Sequence, residues 1–212
     1  MRQPTWTVVV PVKRLDVAKS RLRGALPVVP HEDLALALAA DTVRAVRACP
    51  AVAEVLVVTG DDRVAAELAA AGARLVPEPP GGGLNGAFRH GASVATGGRW
   101  VAGLTSDLPA LRPAELAQAL TAAQDGPAGV RRFVADAPGT GTVLLAAPPG
   151  VPLEPRFGVG SAAAHAAGGA VPLAGAWPTL RRDVDTAADL AAAARLGLGP
   201  ATAALLDAAP AG

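Results

Sequence analysis

Both lysines of the chain stand in one short run, Val12-Lys13-Arg14-Leu15-Asp16-Val17-Ala18-Lys19-Ser20-Arg21-Leu22, and every other cation among the 19 Lys and Arg is arginine. The composition is rich in Ala, Gly, Pro and Arg with no Ile or Tyr, a mark of high-GC coding, which exchanges lysine for arginine wherever that is harmless. An ammonium is a compact point charge and a guanidinium a planar fork, so the two are not interchangeable. Two lysines kept together just after an apolar run suggest a site that wants point charges, and phosphate is the usual target of such charges. The plain alternative is a solvated loop.

The carboxylates supply the complementary chemistry. Asp183 and Asp185 are one residue apart in a strand-like context, which puts both side chains on one face. Two carboxylates at that spacing, about 7 Å, repel unless something pairs them. A divalent cation would relieve the repulsion, and so would an ion pair with the adjacent Arg181 or Arg182. Asp107 adds a third carboxylate after another apolar run. Three oxygen donors with no clustered His or Cys suit a hard cation, Mg²⁺, which uses one or two carboxylates plus substrate phosphate. A cationic loop and a Mg²⁺ site together point to phosphoryl or nucleotidyl transfer, with lysines on a triphosphate and the metal countering charge at the α-phosphate. No Gly-x-x-x-x-Gly-Lys-Ser/Thr run and no kinase signature occurs, which favours nucleotidyl transfer over a P-loop ATPase.

Other polar residues are scarce. Asn85 is the only asparagine; its amide could read a base edge or a ribose, or cap a helix after Gly81-Gly82-Gly83. Gly139-Thr140-Gly141-Thr142 reads as a turn into a strand or as a close approach to an anion. In Arg156-Phe157-Gly158-Val159-Gly160-Ser161, Ser161 opens a short helix and offers hydroxyl and backbone donors to a phosphate or carboxylate. His31, His90 and His165 show no ligand spacing and read as surface or core residues, and Trp6, Trp100 and Trp177 as packing. The single Cys49 excludes an internal disulfide and a cysteine metal cluster, and reads as a buried small hydrophobe.

The elements that must position these groups alternate. Strands are expected at Thr5–Val12, Glu54–Thr59, Arg74–Pro77, Trp100–Leu104, Val130–Ala135, Thr142–Ala147 and Arg182–Asp185. Helices are expected at Glu32–Cys49, Asp61–Ala71, Leu84–Ala95, from Pro113, at Ser161–Ala167, after a Thr186/Asp189 capping pair, and from about Pro200. In the first helix Leu34, Leu38, Thr42 and Val46 share one face, with Asp41 elsewhere. Alternation implies an α/β fold, a mostly parallel sheet covered by helices on both faces. Ligands of such sheets bind outside the carboxyl ends of the strands. The lysine loop, the Thr59–Asp62 turn and Asp107 all follow strand ends, so all three belong on one rim.

The totals agree. The 212 residues read as one domain over 1–212, with no linker or repeat. A net charge of +1 gives no reason to expect nucleic acid or an acidic membrane as a partner. No signal peptide and no apolar span of about 20 residues is visible, so the expected location is cytoplasmic.

Over nearly its whole length the chain resembles the 2-phospho-L-lactate or phosphoenolpyruvate guanylyltransferases of coenzyme F-420 biosynthesis. Short motifs in the right order carry the resemblance: Val12-Lys13-Arg14-Leu15, Ala18-Lys19-Ser20-Arg21-Leu22, Leu84-Asn85, Asp107-Leu108-Pro109-Ala110-Leu111, and Phe133-Val134-Ala135-Asp136 followed by Gly139-Thr140-Gly141-Thr142. Pro155-Arg156-Phe157-Gly158 with Ser161, and Gly175-Ala176-Trp177-Pro178 with Asp183-Val184-Asp185-Thr186, complete it. The resemblance implies the glycosyltransferase-A-like nucleotidyltransferase fold. It also implies that Asp107, Asp183 and Asp185 hold Mg²⁺, and that Thr142, Gly158 and Ser161 contact a three-carbon 2-phospho acid. Lys13, Arg14, Lys19, Arg21 and Asn85 would contact GTP, with Lys13, Lys19 and Asp107 taking part in catalysis. The Phe-Val-Ala-Asp and Gly-Thr-Gly-Thr motifs resemble the phosphoenolpyruvate-using members most, so phosphoenolpyruvate is the expected acid and 2-phospho-L-lactate the alternative. A nucleotidyltransferase of sugar phosphates or of the molybdenum cofactor fits less well, because the gap between Lys13 and Lys19 lacks a Gly-rich signature. A non-catalytic nucleotide-binding protein would need all three aspartates to be structural. The product of the expected reaction is a labile phosphoanhydride, so a transient contact with the next enzyme of the pathway is also expected.

Overall fold

A computed structural model describes residues 5–16, 29–95 and 98–208. Seven strands join one sheet in the order β3-β2-β1-β4-β6-β5-β7. They are β1 (Trp6–Pro11), β2 (Val52–Thr59), β3 (Arg74–Pro77), β4 (Trp100–Leu104), β5 (Arg132–Ala135), β6 (Thr142–Ala147) and β7 (Val171–Pro172). β1 pairs in parallel with β2 and β4, β2 with β3, and β5 with β7. β6 alone runs the other way, antiparallel to both β4 and β5. Pro77 and Pro172 fall on the two edge strands, where a missing N–H costs least and discourages further pairing.

The central strands are mainly apolar because both of their faces are covered; Thr7 of β1 and Glu54 of β2 are exceptions that bond each other at 3.1 Å. Along β1, Val8 and Val10 join one core with helices α1 (His31–Arg47), α2 (Asp62–Ala70) and α4 (Pro113–Gln124). Val9 points the other way, into a second core with α3 (Gly83–Ser93) and α5 (Ser161–Ala167). That period-two split builds the three layers the alternation predicts. Helices α6 (Ala187–Leu196) and α7 (Pro200–Ala208) lie beyond α1, and Leu34 and Leu38 pack with Val184, Leu190 and Ala193 in a third cluster.

Several sequence expectations change here. α1 is buried along most of its length, not on one stripe, because it lies between the sheet and the C-terminal helices. Asp41, expected away from the core face, is only 3% exposed; its carboxylate accepts the N–H groups of Ala201 and Thr202 at 2.9 and 2.7 Å and so caps α7. The strand expected at Arg182–Asp185 does not form: that segment joins no strand of the sheet. β7 has only two residues, too short to leave a periodic signal. The Thr186/Asp189 capping box is present as read, and Cys49 is buried. Among the described residues no helix is long and apolar enough to cross a membrane.

Candidate active site

A cleft of about 850 Å³ opens along the carboxyl ends of the parallel strands. Lys13 enters it directly after β1, and Thr105, Ser106 and Asp107 directly after β4. Thr142 enters from the first residue of β6. A strand that runs backward begins where its parallel neighbours finish, so the reversal of β6 brings Thr142 to the same rim. The Thr105 N–H donates to the Val143 carbonyl at 3.0 Å and extends the β4–β6 ladder to that edge.

Asp183 and Asp185 line the same cleft. Between them Val184 is fully buried in the third cluster, so side chains alternate across the segment although it is no sheet strand. The Val184 N–H donates to the Asp107 carbonyl at 3.0 Å, and this one backbone bond sets the Asp183/Asp185 pair against the Asp107 turn. Arg181, a proposed ion-pair partner, is committed elsewhere: its guanidinium donates to the carbonyls of Ala135, Leu173, Gly175 and Ala176 at 2.8–3.1 Å. The Asp107 turn is also held from α1. The Thr42 hydroxyl accepts the Leu108 N–H at 2.9 Å, while its own proton has the Leu38 carbonyl at 2.8 Å and the Ser106 carbonyl at 3.2 Å, so one buried side chain anchors the far flank of Asp107 to α1 and lies against the near one.

The acidic wall is all oxygen, with no His or Cys lining the cleft. Among the described residues no three His, Cys, Asp or Glu side chains close into a metal cage. Asp107, Asp183 and Asp185 all line this one cleft. This donor set fits Mg²⁺, which takes one or two carboxylates and fills its shell with water and substrate phosphate.

The loops opposite are built from inside. Asp136 accepts the N–H groups of Thr140 and Gly141 at 2.9 and 2.8 Å and closes the turn before β6. A Cβ at Gly141 would displace the Asp136 carboxylate that closes the turn, so glycine suits that close approach. Gly160 has φ +71°, a left-handed conformation that lets the chain turn into α5. The backbone donors expected of the α5 start are already used: Ser161 N–H goes to the Gly158 carbonyl and Ala162 N–H to the Thr140 carbonyl, both at 3.1 Å. Ser161 thus offers its hydroxyl and not its amide. His165 is only 2% exposed; its Nδ1 lies 2.9 Å from the Thr142 hydroxyl and its Nε2 accepts the Arg156 N–H at 2.9 Å. Burial, reinforced by the Arg156 and Arg131 charges and opposed by the Ser161 carbonyl, pushes His165 down to about 4.

Asn85 does not cap the helix. The N-cap of α3 is Gly82, with no side-chain cap bond. The Asn85 amide instead accepts the Phe157 N–H at 2.8 Å and donates to the Phe157 carbonyl at 3.0 Å. Phe157 also stacks on Phe88, with ring centroids 4.1 Å apart. Asn85 is therefore a clamp on the loop that carries Gly158. Arg14 is exposed and pairs with Asp16 at 3.5 Å. Lys19 and Arg21 lie outside the described residues. The lysine loop is pinned by Asp61, which accepts the Leu15 N–H at 3.0 Å while capping α2 through the Arg63 and Val64 N–H groups. Desolvation pushes the Asp61 carboxyl up, but those three N–H groups and the Arg14 charge outweigh it and hold it below its ordinary value. Thr42, Asp61 and His165 carry no motif of their own, and Asp136 belongs to a motif that gives it no role. Asp61 gave a signal as an acidic residue at a helix start on the rim, and Asp136 as the end of the Phe-Val-Ala-Asp motif.

The MobA-like NTP transferase domain model matches residues 20–151. The phosphoenolpyruvate guanylyltransferase of Salinispora arenicola is 74% identical, over 94% of this chain and 92% of that protein. The protein of the same name from Geodermatophilus obscurus is 60% identical, over 95% and 94%. A nucleotidyl transferase from Methanothermobacter thermautotroptrophicus shares the fold, with a TM-score of 0.63 at 19% identity over 91% of this chain and 97% of that one. The chain is a nucleotidyltransferase of the MobA-like class and belongs to the family of the phosphoenolpyruvate guanylyltransferases.

Proposed function

We propose that the chain joins GTP to phosphoenolpyruvate, giving enolpyruvyl-diphospho-guanosine and pyrophosphate, the activity that the resemblance places in coenzyme F-420 biosynthesis. The observation that supports it most is that one cleft holds both sets of groups the reaction needs: Asp107, Asp183 and Asp185, and the Thr142, Gly158 and Ser161 cluster, with Lys13 beside them. A phosphate oxygen of the acid attacks the α-phosphorus in line. The new P–O bond forms as the bond to the β-phosphate bridging oxygen breaks, and pyrophosphate leaves with that electron pair. The attacking phosphate is already ionised at neutral pH, so no general base is required.

The protein's part is to position and to counter charge. The Thr142 and Ser161 hydroxyls hold anionic oxygens of the acid, and Gly158 lets the backbone come close to it. Lys13, with Lys19, balances the triphosphate. Leu15, Ala35, Leu38 and Leu84 give the cleft an apolar lining that excludes water and strengthens each polar contact. Asp107, Asp183 and Asp185 would hold Mg²⁺. When bound, the ion neutralises phosphate charge and makes the α-phosphorus a better electrophile.

The test is pyrophosphate release with GTP and Mg²⁺, comparing phosphoenolpyruvate with 2-phospho-L-lactate at equal concentration. Faster release with phosphoenolpyruvate is the expected result. Release with phospholactate alone keeps the site and changes the acid. Folded protein that releases pyrophosphate with neither acid overturns the reading.

A further inference from the structure

His165 is used by nothing in the reaction above, yet it is almost fully buried and touches two of the loops that form the acid site. Its hydrogen bonds fix its proton. The Arg156 backbone N–H can only donate, and it lies 2.9 Å from Nε2. Nε2 must therefore present a lone pair, which an imidazolium lacks, so the ring is neutral with its proton on Nδ1. Nδ1, carrying a hydrogen, cannot accept from Thr142, whose hydroxyl oxygen lies 2.9 Å away. The Thr142 oxygen is then an acceptor of that hydrogen, beside the Ser161 carbonyl one helical turn earlier. No other side-chain hydrogen bond of Thr142 is found among the described residues, and Thr142 lines the cleft.

We propose that His165 is a positioning residue: its Nδ1–H occupies a lone pair of the Thr142 hydroxyl and so leaves that hydroxyl's proton for an anionic oxygen of the acid substrate. The proposal rests on the guanylyltransferase reading for the identity of that substrate. The ring is held for the task. Phe157 meets it edge-on at 5.2 Å between centroids, and Phe133 lies at 5.9 Å. Arg156 and Arg131 are the charged groups that act on it, both cationic, and both favour the neutral form that the geometry requires. The same ring ties Thr142 to the backbone two residues before Gly158, and from α5 it stands one helical turn after Ser161. The three residues expected to bind the acid are thus linked through one imidazole.

Two measurements test this. The first is the imidazole nitrogen spectrum of the wild-type protein, with His165→Asn used to assign the signal among the three histidines. A neutral Nδ1–H tautomer at pH 7 is expected; an Nε2–H tautomer or a cation overturns the proposal. The second is steady-state kinetics on two variants that each keep one of the two bonds. His165→Asn places an amide donor near the Nδ1 position, and His165→Gln an amide acceptor near the Nε2 position. His165→Gln should raise KM for phosphoenolpyruvate about ten- to hundredfold with little change for GTP, while His165→Asn stays within about threefold of wild type. Thr142→Val should match His165→Gln, and Thr142→Ser should not. Equal losses in the two His165 variants mean a packing role only and overturn the proposal. A wild-type protein inactive with phosphoenolpyruvate sinks the functional reading instead, and the spectrum still decides the tautomer.

Discussion

At the scale of single residues, Asp183 and Asn85 make the sharpest contrast. Asp183 lies in the cleft with its backbone neighbour bonded to the Asp107 turn. Exchange for asparagine keeps the shape and removes the charge. Asp183→Asn is expected to lower kcat by on the order of 10²-fold or more, with the urea midpoint unchanged. Near-normal turnover would take Asp183 out of the metal set. Asn85 is different because both ends of its amide hold the Phe157 backbone. Asn85→Ala frees the Gly158 loop, so KM for phosphoenolpyruvate should rise while KM for GTP moves less. The reverse pattern would assign Asn85 to the nucleotide.

At the scale of elements, α1 governs the site from behind. Thr42 holds the Asp107 turn and Asp41 caps α7, so two consecutive residues of one helix anchor segments 66 and about 160 residues downstream. Thr42→Val keeps the volume but leaves the buried Leu108 N–H without its acceptor. That should cost about 1–3 kcal/mol in urea unfolding and also lower turnover, because the turn carrying Asp107 loosens. Thr42→Ser, which keeps the hydroxyl, should recover most of both. If Thr42→Val matches wild type in stability and rate, the Asp107 turn is held by other contacts.

At the scale of the whole molecule, stability should depend on pH through His165. Its folded pKa is pushed down to about 4, while an unfolded histidine titrates near 6.5. Between those values the unfolded chain binds a proton that the native protein refuses. Its contribution is fully present above about pH 6.5 and is lost as pH falls toward about 4, by up to about 1.4 kcal/mol per pH unit. Unfolding free energies measured from pH 7 to 4 should show this slope in the wild type and a shallower one in His165→Asn. Equal slopes would mean that other groups set the acid limit. Asp61, held below its ordinary value, acts in the same sense at lower pH: its contribution is present above the unfolded carboxyl value and is lost as pH falls through the folded one.

The sequence by itself determined the strand–helix alternation, the strand ends that form the rim, and the inventory of point-charge lysines and oxygen donors. These are local properties: periodicity, caps and scarce residue types are readable within a window of ten or so residues. Lys13 after β1, Asp107 after β4 and the Thr186/Asp189 cap are found where those patterns put them. Only the tertiary structure decided the rest. The reversal of β6 brings Thr142 to the rim, and a backbone bond from Val184 to Asp107 joins the aspartates without any sheet strand at Arg182–Asp185. Asn85 became a clamp, and His165, Thr42 and Asp41 acquired their roles, through hydrogen bonds to partners from 9 to 161 residues away. Which buried polar group meets which depends on how the packed layers juxtapose distant segments, and no local pattern in the chain encodes that.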